Sequence, residues 1–157
     1  STEACRSKFG VATAGSAVAC LREGLSQSNF YSAQLHGMVS YHAFEGITIH
    51  AEEAPRLLAS IGTKPAVILR NHGLLAWGQT IEQTFAILWT LQRACEVQLA
   101  TLSMGTAIPV PEEVAVRCTR DALQFDPRHG GGCDVFDALV RQVERRIAQP
   151  GSLPFAV

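Results

Sequence analysis

Two short apolar runs that meet at a turn constrain the fold of this chain most. Residues 65–70 (PAVILR) are almost wholly apolar, which is typical of a strand buried on both faces of a sheet. Asn71, His72 and Gly73 interrupt this run, and residues 74–77 resume it. The sequence therefore predicts two strands joined at this tripeptide, with residues 67–69 in the interior of a sheet.

The strongest helical pattern begins directly after these strands. Thr80 and Gln83 have the spacing of a capping box, which predicts a helix start. One helical face then stays apolar to about residue 103, with Gln92 as the one polar exception. That face consists of Ile81, Phe85, Leu88, Cys95, Leu99 and Leu102. We expect the helix to pack across the sheet through these residues.

Weaker patterns predict the remaining elements. We expect helices over residues 13–25, 52–61, 111–125 and 134–147, and a strand over residues 37–44 that residues 47–49 extend or pair with. Gly24 is the expected stop of the first helix, Gly62 the left-handed C-cap of the second and Asp134 the N-cap of the last. Residues 26–34 stay ambiguous, and we read Gly130 to Gly132 as a flexible turn rather than a phosphate cradle. These elements together predict an α/β or α+β fold class.

Composition excludes several classes of protein. The chain has 157 residues, of which 47% are hydrophobic and 17% charged. This length and composition predict one folded domain. A net charge of -1 does not favour nucleic acid or an anionic membrane as a partner. No apolar run reaches the roughly 18 residues of a membrane span, and residues 1–10 lack the apolar centre of a signal peptide. We expect a cytoplasmic protein.

The cysteines predict neither a zinc knuckle nor a redox motif. They are Cys5, Cys20, Cys95, Cys118 and Cys133, an odd number at wide spacing without a C-x-x-C pair. We expect reduced thiols. Cys95 lies on the apolar face of the long helix and is interpreted as a core residue.

Three segments together resemble the class II aldolase/adducin family. They are V-I-L-R-N-H-G-L-L-A-W-G at residues 67–78, L-Q-R-A-C-E-V-Q-L at residues 91–99 and Y-H-A-F-E-G at residues 41–46. The resemblance covers roughly residues 13–148, flanked by a divergent segment (residues 1–12) and a tail (residues 149–157). It implies a three-layer α/β/α sandwich around a mostly antiparallel sheet, which we expect to be incomplete at its N-terminal side.

The resemblance also implies a metal site, from which this sequence departs. Family enzymes hold a divalent metal, usually zinc, with an H-x-H pair and the histidine of N-H-G, which is His72 here. The T-A-G-S-A-V segment at residues 13–18 matches the family segment that follows the pair, so Phe9 and Val11 stand where the two histidines are expected. The family's catalytic glutamate lies further upstream, and we assign no catalytic residue. Loss of similarity before Thr13 predicts a truncated or rearranged gene product.

Other histidines and one glutamate are candidate replacements. His36, His42, His50 and His129 are interpreted as solvent-facing or locally hydrogen-bonded, and Glu45 as structural rather than an acid catalyst. Trp77 and Trp89 are expected to pack, and Arg141, Arg145 and Arg146 to form the solvated face of the last helix.

The resemblance implies two kinds of function. By descent the chain is a zinc-dependent aldehyde-lyase for a small hydroxy-carbonyl, sugar-phosphate-like substrate, impaired by the missing ligands. The alternative is a non-catalytic adducin-like module that binds the actin cytoskeleton. In both cases we expect a homo-oligomer or a partner chain, because missing strands would leave sheet edges and apolar surface exposed.

Overall fold

A small three-stranded sheet forms the centre of the fold in the computed structural model, which describes residues 13–47 and 52–148. Its strands are β1 (Val39–His42), β2 (Ala66–Leu69) and β3 (Gly73–Ala76), in the order β1-β2-β3. Val67 and Ile68 on the central strand have no exposed surface. The prediction that residues 67–69 lie in the sheet interior is confirmed.

The strand pairing combines a parallel and an antiparallel neighbour. β1 runs parallel to β2 with Val39 opposite Ala66, whereas β2 and β3 are antiparallel with Leu69 opposite Gly73. A parallel pair needs a crossover connection, and here it contains helix α3 (Glu53–Ile61). Gly62 ends α3 at the predicted position with a φ of +57°, which favours glycine, but its ψ of -123° is not that of the predicted left-handed cap.

Helices cover both faces of the sheet, which gives three layers. Ala66 and Ile68 share one face and belong to a core that also includes side chains of α1 (residues 13–19) and α4 (Ile81–Met104). His42 points to the other face, where its imidazole contacts Ser60 of α3. The alternation of β-strand side chains thus separates an α1/α4 layer from an α3 layer.

The long helix α4 packs against β3 as expected, but through a face that only partly overlaps the predicted one, with Cys95 and Leu99 in common. Its buried residues are Ala86, Ile87, Thr90, Leu91, Gln92, Ala94, Cys95 and Gln98. The predicted stripe is partly wrong, since Ile81 is 68% exposed, Leu88 36% and Leu102 52%. The buried face thus mixes large apolar side chains (Ile87 and Leu91) with small and polar ones, and several large apolar residues are left outside.

Two short helices differ from their predictions. α1 ends at residue 19 rather than 25, because the carbonyl groups of Ala19 and Leu21 accept hydrogen bonds from Asn71 and Arg70 and need no further helical turn. The ambiguous segment contains α2 (Phe30–Gln34), which Asn29 opens with a capping box.

The described residues after 111 are mainly helical, and α6 is the last element among them. α5 (Glu112–Asp121) is followed by two 3₁₀ turns (Leu123–Phe125 and Pro127–His129) and by α6 (Cys133–Ile147). The N-cap of α6 is Gly132 with φ +88°, so the assignment of this role to Asp134 is wrong; Asp134 lies in the first turn. Gly132 approaches α4 so closely that a Cβ would lie 2.6 Å from Cβ of Ala86.

Two sequence expectations concern the whole chain. Within the described ranges Cys20, Cys95, Cys118 and Cys133 are free thiols, while Cys5 lies outside them. None of the described helices has the length and apolar character that a membrane crossing requires.

Candidate functional site

His72 lies in the tight turn between β2 and β3, with its side chain exposed. Its backbone N–H donates to the carbonyl of Leu69 (3.1 Å), which closes the turn. The preceding residue, Asn71, has φ +57° in the left-handed region, where asparagine is more tolerated than most residues. The turn therefore holds the histidine at a defined place on the surface.

Helix α1 fixes this turn from the side. The amide of Asn71 donates to the carbonyl of Ala19 (3.1 Å), and Oγ of Ser16 donates to the carbonyl of His72 (3.2 Å). Gly73 also lies beside Ser16, because a Cβ at position 73 would be 3.8 Å from its Oγ. Helix α1 and the turn that carries His72 are consequently neighbours.

Arg70 extends the anchor to β1. Its guanidinium donates to the carbonyl of Leu21 (2.6 Å) and lies 4.2 Å from the ring centroid of Tyr41. The Tyr41 hydroxyl in turn accepts from the amide of Leu25 (3.0 Å). Cation–π contact and carbonyl bonding together immobilise the residue two positions before His72. Sequence reasoning missed this arrangement, although Tyr41 and Arg70 both lie in the quoted motifs.

The residues around His72 do not complete a metal site by themselves. Structural and catalytic zinc sites use three or four protein ligands. Within residues 13–47 and 52–148 no group of three or more His, Cys, Asp or Glu side chains is arranged to hold a metal ion. His72 thus offers one imidazole, and no reaction step can be assigned to a metal on the described residues.

His42 belongs to a buried polar cluster between β1 and α3. Its Nδ1 lies 2.9 Å from Oγ of Ser60, and this hydroxyl also donates to the carbonyl of Arg56 (3.0 Å). Its Nε2 lies 3.7 Å from Oε1 of Glu53 and 3.9 Å from Oε1 of Glu45. The cluster joins the end of β1 to both ends of α3, through Glu53 in its first turn and Ser60 in its last.

Glu45 is held by Arg56 rather than left free for proton transfer. Nε of Arg56 donates to both carboxylate oxygens at 2.9 Å, and its terminal nitrogen adds a further bond. Hydrogen bonds from Arg56 hold the pKa of the Glu45 carboxyl below its usual value. This arrangement supports the structural interpretation of Glu45.

The side chains of the remaining described histidines pair with residues other than His72. Nδ1 of His36 is 3.1 Å from Oε1 of Gln27, and Nδ1 of His129 is 3.6 Å from the Asp126 carboxylate. His50 falls outside the described residues. Of the described replacements, His42 touches the turn that carries His72, but through its backbone, since its carbonyl accepts from the amide of Arg70 (2.9 Å).

Cys95 and Trp89 have packing roles. Cys95 is fully buried in the core, and burial, with a smaller contribution from Glu96, raises the pKa of its thiol to about 12. The ring of Trp89 stacks edge-to-face on Tyr31 with centroids 6.0 Å apart. Both observations agree with the interpretation made from the sequence.

Comparison with known proteins assigns the chain to a family. Residues 11–99 match the model of the Class II Aldolase and Adducin N-terminal domain. A Pseudomonas aeruginosa relative named for aldolase class 2 is 38% identical over 137 residues, which cover 85% of this chain and 52% of that protein. Rat alpha-adducin is 38% identical over 91 residues, covering 57% of this chain and 12% of the adducin. The chain belongs to the class II aldolase and adducin family.

Solved structures show the same fold. An aldolase II superfamily protein from Pseudomonas syringae superimposes with a TM-score of 0.76 at 35% identity, over 84% of this chain and 53% of that one. An L-fuculose 1-phosphate aldolase from Glaciozyma antarctica gives a TM-score of 0.68 at 24% identity, which supports the fold alone. The chain spans about half the length of these structures and of the P. aeruginosa relative. The predicted α/β aldolase-type fold is confirmed.

Proposed function

We propose that this chain is an aldolase-type domain that keeps one metal-ligand position, His72, and does not on its own bind zinc stoichiometrically or cleave carbon–carbon bonds. One observation supports this most. The turn of His72 is fixed against α1, and the sequence that leads into α1 carries Phe9 and Val11 at the positions where family enzymes have histidines. We propose that the domain comprises residues 13–148. We also propose that the protein is located in the cytoplasm.

The ancestral activity in this proposal is metal-dependent aldehyde-lyase chemistry. In such enzymes a bound zinc ion would polarise the carbonyl of a small hydroxy-carbonyl substrate, such as a sugar phosphate, as a Lewis acid. A single imidazole gives weak affinity, because zinc sites depend on several convergent ligands. His72 alone is therefore insufficient, and the missing ligands rather than the fold limit the activity.

Restoring the ligand pair tests the proposal directly. We expect the purified chain to hold far less than one zinc per chain at neutral pH. The double variant Phe9→His/Val11→His should bind about one zinc, measured by elemental analysis and by titration with Co²⁺ followed by its visible absorption. Adding His72→Ala to the double variant should abolish this binding, whereas His129→Ala, a histidine paired with Asp126, should leave it unchanged.

Activity provides an independent readout. Cleavage of a ketose 1-phosphate, followed by coupled detection of dihydroxyacetone phosphate, should stay at background for the wild-type chain. Stoichiometric zinc in the wild-type protein that is lost in His72→Ala would show that other residues complete the site, and the proposal would be wrong.

A second candidate is a non-catalytic adducin-like binding module. The similarity to rat alpha-adducin favours it, since 57% of this chain aligns at 38% identity. Such a module would act through its surface, so its binding should not depend on His72. Co-sedimentation with actin filaments would test it: saturable binding that persists in His72→Ala supports the module, and absence of binding excludes actin as its partner.

A further inference from the structure

A recess with a volume of about 310 Å³ lies among α2, α4 and the start of α6. Its volume is at the lower end of the range that is typical of small-molecule sites. Within the described part of the chain, no hydrogen bond joins a residue that lines this recess to the turn that carries His72. The recess is therefore a second candidate site, separate from the first.

Three aromatic side chains line the recess. Phe30 and Tyr31 lie edge-to-face with ring centroids 5.6 Å apart, and Tyr31 and Trp89 do so at 6.0 Å. Phe30 is 72% exposed, so much of its ring lacks an apolar neighbour. A further aromatic ring can extend this edge-to-face series and cover Phe30, because aromatic rings gain more from such contacts than from burial of area alone. The lining therefore favours an aromatic ligand over an aliphatic chain.

The polar side chains of the recess leave one acceptor unpaired. Nε2 of Gln34 donates to the Phe30 carbonyl (3.2 Å), which can only accept, and this bond fixes the orientation of the Gln34 amide. Oε1 of Gln34 therefore accepts from Nε2 of Gln124, and Oε1 of Gln124 has no hydrogen-bond partner among the described residues. The hydroxyl of Thr90, a residue that is 4% exposed, also has none in these ranges. A ligand that donates one hydrogen bond would pair with Gln124.

Charge and polarity narrow the class of ligand further. Among the described residues that line the recess none is charged, and the guanidinium near the Trp89 ring, that of Arg93, is paired with Glu96 at 2.8 Å. An ionised ligand would lose its hydration there without gaining a counter-charge. A sugar would bring more hydroxyl groups than Gln124 and Thr90 can pair.

We propose that this recess binds a small uncharged aromatic compound that carries one hydrogen-bond donor, as a phenol does. The aromatic side chains hold the ring of the ligand. Gln124 accepts its hydrogen bond and thereby fixes its orientation, with the Thr90 hydroxyl as a second polar group. This site goes beyond the proposed function and does not depend on it.

Titration with p-cresol tests the proposal, followed by the indole N–H signals of the two tryptophans in proton–nitrogen NMR spectra. Trp89 lines the recess and Trp77 does not, and the spectrum of Trp77→Phe assigns the two signals. We expect a saturable shift of the Trp89 signal while the Trp77 signal stays in place. His72→Ala should bind p-cresol as the wild type does, whatever its effect on metal binding.

Substitution of Gln124 tests the role of the hydrogen bond. Gln124→Leu should weaken the binding of p-cresol roughly three- to tenfold, as the loss of one hydrogen bond predicts. The same variant should bind p-methylanisole, in which a methyl group replaces the hydroxyl proton, as the wild type does. Gln79→Leu changes an exposed glutamine outside the recess, so it should leave both affinities unchanged.

Substitution of Phe30 tests the aromatic lining. Phe30→Ala should weaken both ligands, whereas Phe44→Ala, at a phenylalanine that is 54% exposed and lies outside the recess, should weaken neither. Far-UV circular dichroism and the thermal transition should show that these variants fold. Absence of a saturable Trp89 shift up to the solubility limit of p-cresol would overturn the proposal. Equal losses of both ligands in Gln124→Leu would also overturn it, because the recess would then accept any apolar molecule of this size.

Discussion

The amide of Asn71 donates a 3.1 Å hydrogen bond to the carbonyl of Ala19, so the turn that carries His72 also caps the C-terminus of α1. A helix end leaves carbonyl groups unpaired, and a neighbouring turn can satisfy them. The same contact that ends α1 thus fixes the position of His72. The end of α1 and the candidate site therefore share this bond, which acts beside those that Ser16 and Arg70 donate.

Two substitutions of Asn71 should show whether its backbone conformation or its side chain contributes to the free energy of unfolding. Its φ of +57° suits asparagine and glycine but strains a β-branched residue. We expect Asn71→Val to lower the free energy of unfolding by about 1–2 kcal/mol. Asn71→Gly, the matched control, should stay close to wild type in urea denaturation. If both variants lost the same amount of stability, the Asn71 side chain rather than its backbone conformation would be the source of the loss.

Gly132 should be the most sensitive glycine of the loop before α6. Its φ is +88°, and a Cβ there would lie 2.8 Å from the Glu82 carbonyl oxygen and 2.6 Å from Cβ of Ala86. Gly130 has the same φ, but a Cβ there would meet nothing within 4 Å. Gly132→Ala should therefore cost about 1–3 kcal/mol more than Gly130→Ala, because overpacking adds to the backbone strain. Thermal unfolding of the two variants checks this difference.

Gln98 should contribute more to stability than the other buried glutamine of α4. Its Oε1 accepts from the amide of Ser26 and its Nε2 donates to the carbonyl of Gly24, both at 2.8 Å. Gln98→Leu leaves both backbone groups unpaired, at a cost of about 1–3 kcal/mol each. Gln92 donates to Glu96 within the same helix.

Gln92→Leu is the matched control for this prediction. It should lower the free energy of unfolding by less than about 1 kcal/mol, because no backbone group of another segment loses its partner. Chemical denaturation of both variants gives the comparison. A loss for Gln92→Leu as large as that for Gln98→Leu would contradict the importance of the Ser26 and Gly24 contacts.

Cys95 should resist alkylation in the folded protein. Burial raises the pKa of its thiol to about 12, so its thiolate is scarce at pH 8. We expect iodoacetamide to modify the exposed Cys20 and Cys133 first, and Cys95 only after denaturation, as peptide mapping would show. Prompt labelling of Cys95 in the native protein would mean that α4 opens readily.

The same thiol gives a pH dependence with a definite sign. In the unfolded chain Cys95 releases its proton near the ordinary thiol pKa of about 8.5, whereas the folded form holds it to about 12. The folded state therefore binds more protons in this interval, and its stability falls as pH rises from about 9 towards 12. Cys95→Ala should show a shallower alkaline loss of stability in urea titrations between these pH values.

Local sequence signals predicted the sheet and most helix boundaries. Strand β2 follows from its apolar run, and the start of α4 follows from the capping residue Thr80. Both elements appear in the structure where the local sequence predicts them. Gly62 likewise ends α3, with a positive φ that favours glycine. These features depend on short-range sterics and hydrogen bonds, which a single sequence displays directly.

Tertiary contacts decided the features that sequence reasoning missed. The buried face of α4 includes Gln98 because its amide pairs with the backbone of Ser26 and Gly24, and no periodicity count reveals this. The early end of α1 depends on Arg70 and Asn71, which lie about fifty residues later. His72 remains a predicted ligand position, since its exposure and anchoring do not reveal which other side chains would join it.

Because β2 pairs with one parallel and one antiparallel strand, the order in which the sheet forms affects folding and aggregation. The β2–β3 hairpin closes through one tight turn, whereas β1 can join β2 only after the crossover through α3 is in place. Non-local pairing of this kind forms slowly, so β1 is expected to dock late. Until it does, the edge of β2 with Ala66, Val67 and Ile68 is open to other chains. Kinetic competition at this one edge, between β1 and a foreign strand, would set the yield of native protein during refolding at high concentration.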